Sequence, residues 1–181
     1  MQVSSVQKSK YTGKAMALTA MFAALVTVAT AFIKIPAPLG YAHAGDAVVY
    51  LAACVLPGPF GFIAASMGGA LADLLSGYAV WAIPTALIKA LNVLPFFLIR
   101  RRMLRTRKDD RILSPLTLLM VLPTSLVTVG GYFVANMLLY GVGAAWTETP
   151  FNLIQAVVAA VLYIILAAAL DTVKFKQKLG L

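Results

Sequence analysis

The chain has 181 residues, of which 61% are hydrophobic and only 12% charged, with a formal net charge of +9. Soluble domains average roughly 45–50% apolar and about 25% charged residues, so this chain has too little polar surface for a water-soluble globule and too much apolar surface for disorder. A membrane span takes about 20 apolar residues, so the length allows a handful of helices and leaves no room for a separate soluble domain.

The charge excludes a nucleic-acid binder by its placement. Lys8, Lys10 and Lys14 precede the first apolar run. Arg100, Arg101, Arg102, Arg105, Arg107, Lys108 and Arg111 form one central block, and Lys174, Lys176 and Lys178 close the chain. Thirteen of the fifteen basic residues thus flank apolar stretches, which is the positive-inside pattern of a membrane protein. Cys54 is the lone cysteine and His43 the lone histidine, so disulfides, thiolate clusters and two-histidine zinc motifs are excluded. No metal or cofactor site is expected. The polar N-terminus and the long first apolar run argue against a cleavable signal peptide.

In chain order, the first helix is predicted over about 12–33. An outer loop, 34–46, follows; its prolines and glycines bar a regular helix. Pro57-Gly58-Pro59 divides the next uncharged run into helices of about 46–56 and 59–76, the first short for a span. The fourth helix is placed at about 79–99, ahead of a basic cytoplasmic loop, 100–112. A fifth helix, about 114–140, leads to an outer loop, 141–149, that holds Glu148. Pro150 suits the first turn of a last helix, about 150–172. The expected fold class is all-α: one transmembrane domain over 1–181, an integral membrane six-helix bundle with N- and C-termini cytoplasmic.

Three constellations stand out. Ala20 and Ala24 share a face of helix 1, with Thr27 next on it; small residues allow close helix approach in lipid, inside the bundle or against a partner. The loop carries Tyr41 and His43 among glycines and prolines, while Asp46 is placed as the N-cap of helix 2. Helices 4 to 6 carry polar stripes: Trp81, Thr85, Lys89 and Asn92; Tyr132, Asn136 and Tyr140; Asn152 and Gln155, with Glu148 just outside. Polar groups in hydrocarbon are costly and face a cavity or each other, so the stripes are expected to enclose a pocket of aromatic rings and amides suited to a small ring-shaped solute. Asp73 is assigned structural support, through Lys89 or the backbone of the loop Ser76-Gly77-Tyr78. Enzyme signatures are missing: the chain has no GxSxG, no paired-carboxylate motif and no phosphate loop. ATP hydrolysis is therefore expected only in a partner.

The run Gly45-Asp46-Ala47-Val48-Val49-Tyr50-Leu51-Ala52-Ala53, then Leu56-Pro57-Gly58-Pro59-Phe60-Gly61, Gly69-Ala70-Leu71-Ala72-Asp73-Leu74-Leu75-Ser76-Gly77-Tyr78, Pro84-Thr85 and Ile88-Lys89 resembles the substrate-binding S components of energy-coupling factor (ECF) vitamin transporters. The match is to the hydroxymethylpyrimidine, pyridoxine and riboflavin branch. The resemblance implies a high-affinity capture subunit in a prokaryotic plasma membrane. Its partners would be a membrane coupling subunit (the T component) and two ATP-binding cassette ATPases. It carries the coupling contact over to Ala20 and Ala24, the closing loop to 34–46 and most solute contacts to helices 4 to 6, and it implies toppling in the membrane to release the solute. A hydroxymethylpyrimidine- or pyridoxine-like solute is expected, with riboflavin as the alternative. Other readings are a solo membrane transporter, an assembly factor without a ligand, and a lipid-acting enzyme built on His43.

Overall fold

A computed structural model describes residues 13–105 and 111–179; Lys8, Lys10, Arg107 and Lys108 of the basic segments lie outside these described residues. The described residues are mostly helical. They form α1 (Gly13–Phe32), a hairpin of β1 (Lys34–Ala37) and β2 (Gly40–His43), α2 (Gly45–Val55), α3 (Phe60–Leu75) and a 3-10 turn (Ala79–Trp81). The chain continues through α4 (Ala82–Arg105), α5 (Pro115–Tyr140), α6 (Val142–Thr172) and α7 (Phe175–Leu179).

Four helical stretches are long and apolar enough to cross a membrane: Gly13–Phe32, Ala79–Leu104, Pro115–Tyr140 and Val142–Thr172. The side-chain distribution is the reverse of a soluble protein's. Leu118, Leu119, Leu122 and Leu126 on α5 and Leu87, Leu91 and Leu98 on α4 are exposed, while Thr85, Lys89, Asn92, Thr124, Thr128, Asn136, Asn152 and Gln155 are buried. Apolar exteriors and self-satisfied polar interiors are what a bilayer demands.

At the centre lies α2. Its 11 residues span only about 16 Å, half the roughly 30 Å hydrocarbon core. Every residue of it except Val48 is buried, as expected of a helix apolar on all sides. Tyr50 stacks on Phe96 of α4, with ring centroids 5.3 Å apart, and meets Tyr163 of α6 edge-on at 5.8 Å. Helix α3 is wedged between α1 and α4 by two glycines. A Cβ on Gly68 would lie 2.6 Å from Val26 Cβ, and one on Gly69 would lie 2.9 Å from Lys89 Cγ and Thr85 Cγ2. The first approach also brings Thr27 Oγ1 to donate to the Gly68 carbonyl at 3.1 Å.

Several expectations are corrected. Seven α-helices are described rather than six, the added one being α7 in the basic tail. The loop 34–46 folds into an antiparallel hairpin, with Lys34 opposite His43 and Ala37 opposite Gly40, so the fold is not purely helical. The fourth helix passes Pro95 and runs to Arg105; Arg100 is buried and donates to the Leu56 carbonyl, so part of the expected basic loop is helix. The expected loop 141–149 shrinks to Gly141, whose φ of 90° reverses the chain. Helix α6 starts at Val142, and Pro150 lies inside it. The preceding hydroxyls of Thr147 and Thr149 bond carbonyls four residues back, Gly143 at 3.0 Å and Ala145 at 2.7 Å. These bonds brace the turn before Pro150, and interior prolines are tolerated in membrane helices. Asp46 is not an N-cap: that position is Ala44, without a side-chain bond. Thr27 turns inward and is buried, whereas Ala20 and Ala24 stay exposed.

The basic segments meet at one end of the molecule. Lys14 donates to the Leu179 carbonyl. Asp171 receives the amides of Ile112 and Leu113 at 2.8 and 2.9 Å, just before Ser114 and Thr117 form a capping box for α5. The α1–α3 contact leaves no space for added volume, so Gly68→Val is expected to cost about 1–3 kcal/mol through overpacking. Thermal unfolding in detergent should show a lowered midpoint for this variant, and an unchanged midpoint for Gly143→Ala, where a Cβ meets nothing within 4 Å.

Candidate functional site

The site is built upward from a buried ion pair. Lys89 on α4 and Asp46 in the first turn of α2 are fully buried and form a salt bridge. Such a pair survives out of water only if its remaining donors and acceptors are satisfied. Gln155 Nε2 of α6 donates to Asp46 Oδ2 at 2.8 Å, and Asn92 Nδ2 reaches Asp46 Oδ1 at 3.4 Å and Thr128 Oγ1 of α5 at 2.9 Å. His43 Nε2 lies 3.3 Å from Lys89 Nζ. The pair therefore ties α2, α4, α5, α6 and the hairpin to one point. It also orients Gln155: with its amide nitrogen on Asp46, the amide oxygen accepts the His43 backbone N–H at 3.3 Å.

The hairpin closes over this point with three further bonds. The Tyr41 hydroxyl donates to Asp73 Oδ1 at 2.6 Å, the Leu39 amide donates to Glu148 Oε1 at 2.6 Å, and Lys34 Nζ donates to Ser76 Oγ at 2.9 Å. Lys34 also sits 4.3 Å above the Tyr41 ring, and Tyr78 meets that ring edge-on at 5.2 Å. Burial and the adjacent Asp73 push the Tyr41 hydroxyl far above the ordinary tyrosine range, so it stays a donor. Burial, reinforced by Lys89, pushes His43 down to about 3, so its ring is neutral at physiological pH.

Between hairpin and ion pair lies a cavity of about 30 Å³, lined by Gly40, Tyr41, His43, Asp73, Trp81, Thr85, Tyr132, Asn136, Glu148, Asn152 and Gln155. That admits water without rearrangement. Five buried polar atoms on these residues have no hydrogen-bond partner among the described residues: His43 Nδ1, Asp73 Oδ2, Trp81 Nε1, Asn136 Oδ1 and Asn152 Nδ2. A buried polar group left unpaired costs about 1–3 kcal/mol, and here the cost is concentrated around one small space.

The structure thus brings Tyr41, His43, Trp81, Thr85, Tyr132, Asn136, Glu148, Asn152 and Gln155 to one cavity. Lys89 and Asn92 belong to the layer beneath it, occupied by Asp46. Tyr140 is partly exposed and outside the lining, its ring 6.0 Å from that of Trp81. Asp73 and Gly40 line the cavity without having been expected there. Asp73 pairs with Tyr41, not with Lys89. Its signal in the sequence was an acidic residue in an otherwise uncharged helix.

Fold and site define a multi-pass membrane protein with a polar cavity enclosed beneath a terminal hairpin. Residues 10–172 match the S component family of ECF-type riboflavin transporters, and the chain belongs to that family, one of transporter components and not of enzymes. It is also 36% identical over 137 residues to an uncharacterised protein of Pyrococcus woesei, a stretch covering 73% of this chain and 84% of that one.

Two predictions follow from the ion pair and its neighbour. Lys89→Met strands a buried carboxylate and is expected to destabilise the fold by about 3–5 kcal/mol, whereas Asp46→Leu combined with Lys89→Met should cost markedly less; unfolding midpoints of the two variants decide this. His43 binds a proton near 6.5 when unfolded but only near 3 when folded. Its contribution to stability is full above pH 6.5 and is lost progressively as pH falls toward 3. The midpoint should therefore drop between pH 7.5 and 4.5, and His43→Gln should flatten that slope.

Proposed function

We propose that the chain is the solute-capture subunit of an ECF-type importer, a six-helix membrane core in which the short α7 is an appendage of the tail. The solute is a compact heteroaromatic vitamin or precursor of the hydroxymethylpyrimidine or pyridoxine kind. The observation that carries this reading is the ring of five unpartnered buried polar atoms around the cavity. Their desolvation destabilises the empty protein, and a polar ring-shaped ligand would supply their missing partners while stacking on Trp81 and Tyr132. Riboflavin is the second reading, favoured by the family description; the small volume of the cavity favours a single ring, which needs less widening than a flavin.

In this reading the basic end of the molecule is cytoplasmic, so both termini lie inside and the hairpin faces out. The solute enters by displacing the hairpin, which breaks the Leu39–Glu148 and Tyr41–Asp73 bonds, and re-forming them traps it. The chain holds no ATP-binding motif, so energy comes from two ATPases through a membrane coupling subunit. The exposed Ala20–Ala24 face of α1 is the proposed contact for that subunit, since small residues let a partner helix approach.

Titration of the purified full chain with hydroxymethylpyrimidine, pyridoxine and riboflavin, followed by calorimetry and tryptophan fluorescence, tests the reading; one of the three should bind at submicromolar concentration. Asn136→Leu should weaken that binding at least about tenfold, the worth of one buried hydrogen bond, without lowering the unfolding midpoint. Ala24→Trp should leave binding intact and abolish uptake in cells that carry the coupling subunits. Uptake by the chain alone in liposomes would overturn the proposal.

A further inference from the structure

The charges around the cavity are unequal. Asp73 from α3 and Glu148 from α6 line it, and no lysine or arginine does among the described residues. Each nearby cation is engaged elsewhere. Lys89 lies beneath on Asp46, and exposed Lys34 lies outside on Ser76 Oγ and the Tyr41 ring. His43 is neutral, held down by burial and by Lys89.

Glu148 already accepts the Leu39 amide. Asp73 is 4% exposed; its Oδ1 accepts the Tyr41 hydroxyl, the Thr85 hydroxyl lies nearby, and its Oδ2 has no well-formed hydrogen bond among the described residues. A carboxylate oxygen only accepts, so what Oδ2 lacks is a donor. Asn136 Oδ1 is a second unmet acceptor, while Asn152 Nδ2 and Trp81 Nε1 are unmet donors. The Trp81 ring, 5.9 Å from that of Tyr132, adds a negative face that favours a cationic or N–H-bearing group, while the Tyr132 ring already has Lys89 Nζ 5.6 Å from its centroid.

We propose that Asp73 is the specificity-determining residue of this site, receiving an amino group and a protonated ring nitrogen from an amino-substituted pyrimidine-like solute. This rests on the solute-capture reading above and deepens it. An amino group beside a ring nitrogen offers a carboxylate two donors side by side once the ring is protonated, the arrangement that carboxylates bind most strongly. The acceptors wanted by Asn152 and Trp81 are then a second ring nitrogen or a hydroxyl oxygen. A flavin turns a carbonyl–imide–carbonyl edge toward its partners. Against Asp73 that edge sets oxygen against oxygen. Exchanging an amino for an oxo group on the pyrimidine has the same effect.

The test is calorimetric titration of the full chain in detergent with 4-amino-5-hydroxymethyl-2-methylpyrimidine, its 4-oxo counterpart and riboflavin. The amino compound is expected to bind at least about tenfold more tightly than the other two, the worth of one hydrogen bond to a charged group. Asp73→Asn should remove that preference, and Tyr41→Phe, which keeps the carboxylate, should retain it. If Asp73→Asn does not fold, the wild-type ranking still overturns the role of Asp73 wherever the amino compound is not preferred. Equal or tighter binding of the oxo compound or riboflavin would overturn the role of Asp73 and leave the capture reading standing. Absence of binding by all three, together with uptake by the chain alone, would overturn both.

Discussion

The salt bridge between Lys89 and Asp46 is the constraint around which the rest is arranged. Two opposite charges with no exposure lie in a protein whose surroundings offer no water to either. Burying them costs several kcal/mol per ion, and attraction offsets this only when every remaining lone pair and proton is engaged. That requirement fixes Gln155, Asn92 and Thr128 around the pair. It also places α2: Asp46 must sit at the depth of Lys89, so α2 begins inside the molecule and is followed by only 9 further residues of an 11-residue helix. Gly69 completes the arrangement, since any side chain there would occupy the space of the Lys89 stem.

From this anchored layer upward, unpartnered polar atoms become more numerous. Below the cavity, Asp46 carries bonds from several elements. Around the cavity, five polar atoms carry none among the described residues. The contrast is physical rather than incidental, because the same helices supply both layers: Lys89 and Thr85 are one turn apart on α4, as are Gln155 and Asn152 roughly on α6. Among the described residues the lower layer leaves only Asn92 Oδ1 unpartnered beside the ion pair, whereas five such atoms gather where the hairpin lies over the cavity.

Much of this was legible in the sequence because lipid makes polarity informative. The stripes on helices 4, 5 and 6 could be read by spacing alone, and most of their members do reach one cavity. The depth of each residue could not be read that way. Lys89 and Thr85 share a helical face, but one is spent on Asp46 and the other lines the cavity. The role of Asp46 was hidden because an acidic residue after Gly45 looks like a local cap, and its partner is 43 positions away. The hairpin was hidden because Pro36, Pro38 and Gly40 break a helix without announcing a pairing partner. The start of α6 was hidden because a proline fits a first turn and the interior of a membrane helix alike.

The hairpin is where floor, cavity and exterior become one mechanical unit. Its strand end, His43, touches the ion pair; Tyr41 at mid-strand holds Asp73; Leu39 at the turn holds Glu148. Only the first of these contacts is set in the fully buried layer, where breaking bonds is most costly. The two toward the turn end on acidic groups that also line the cavity. The bonds at the turn, to Asp73 and Glu148, share no atom with those of Lys89 and Asp46, so the hold on the turn and the anchor of the fold rest on different bonds.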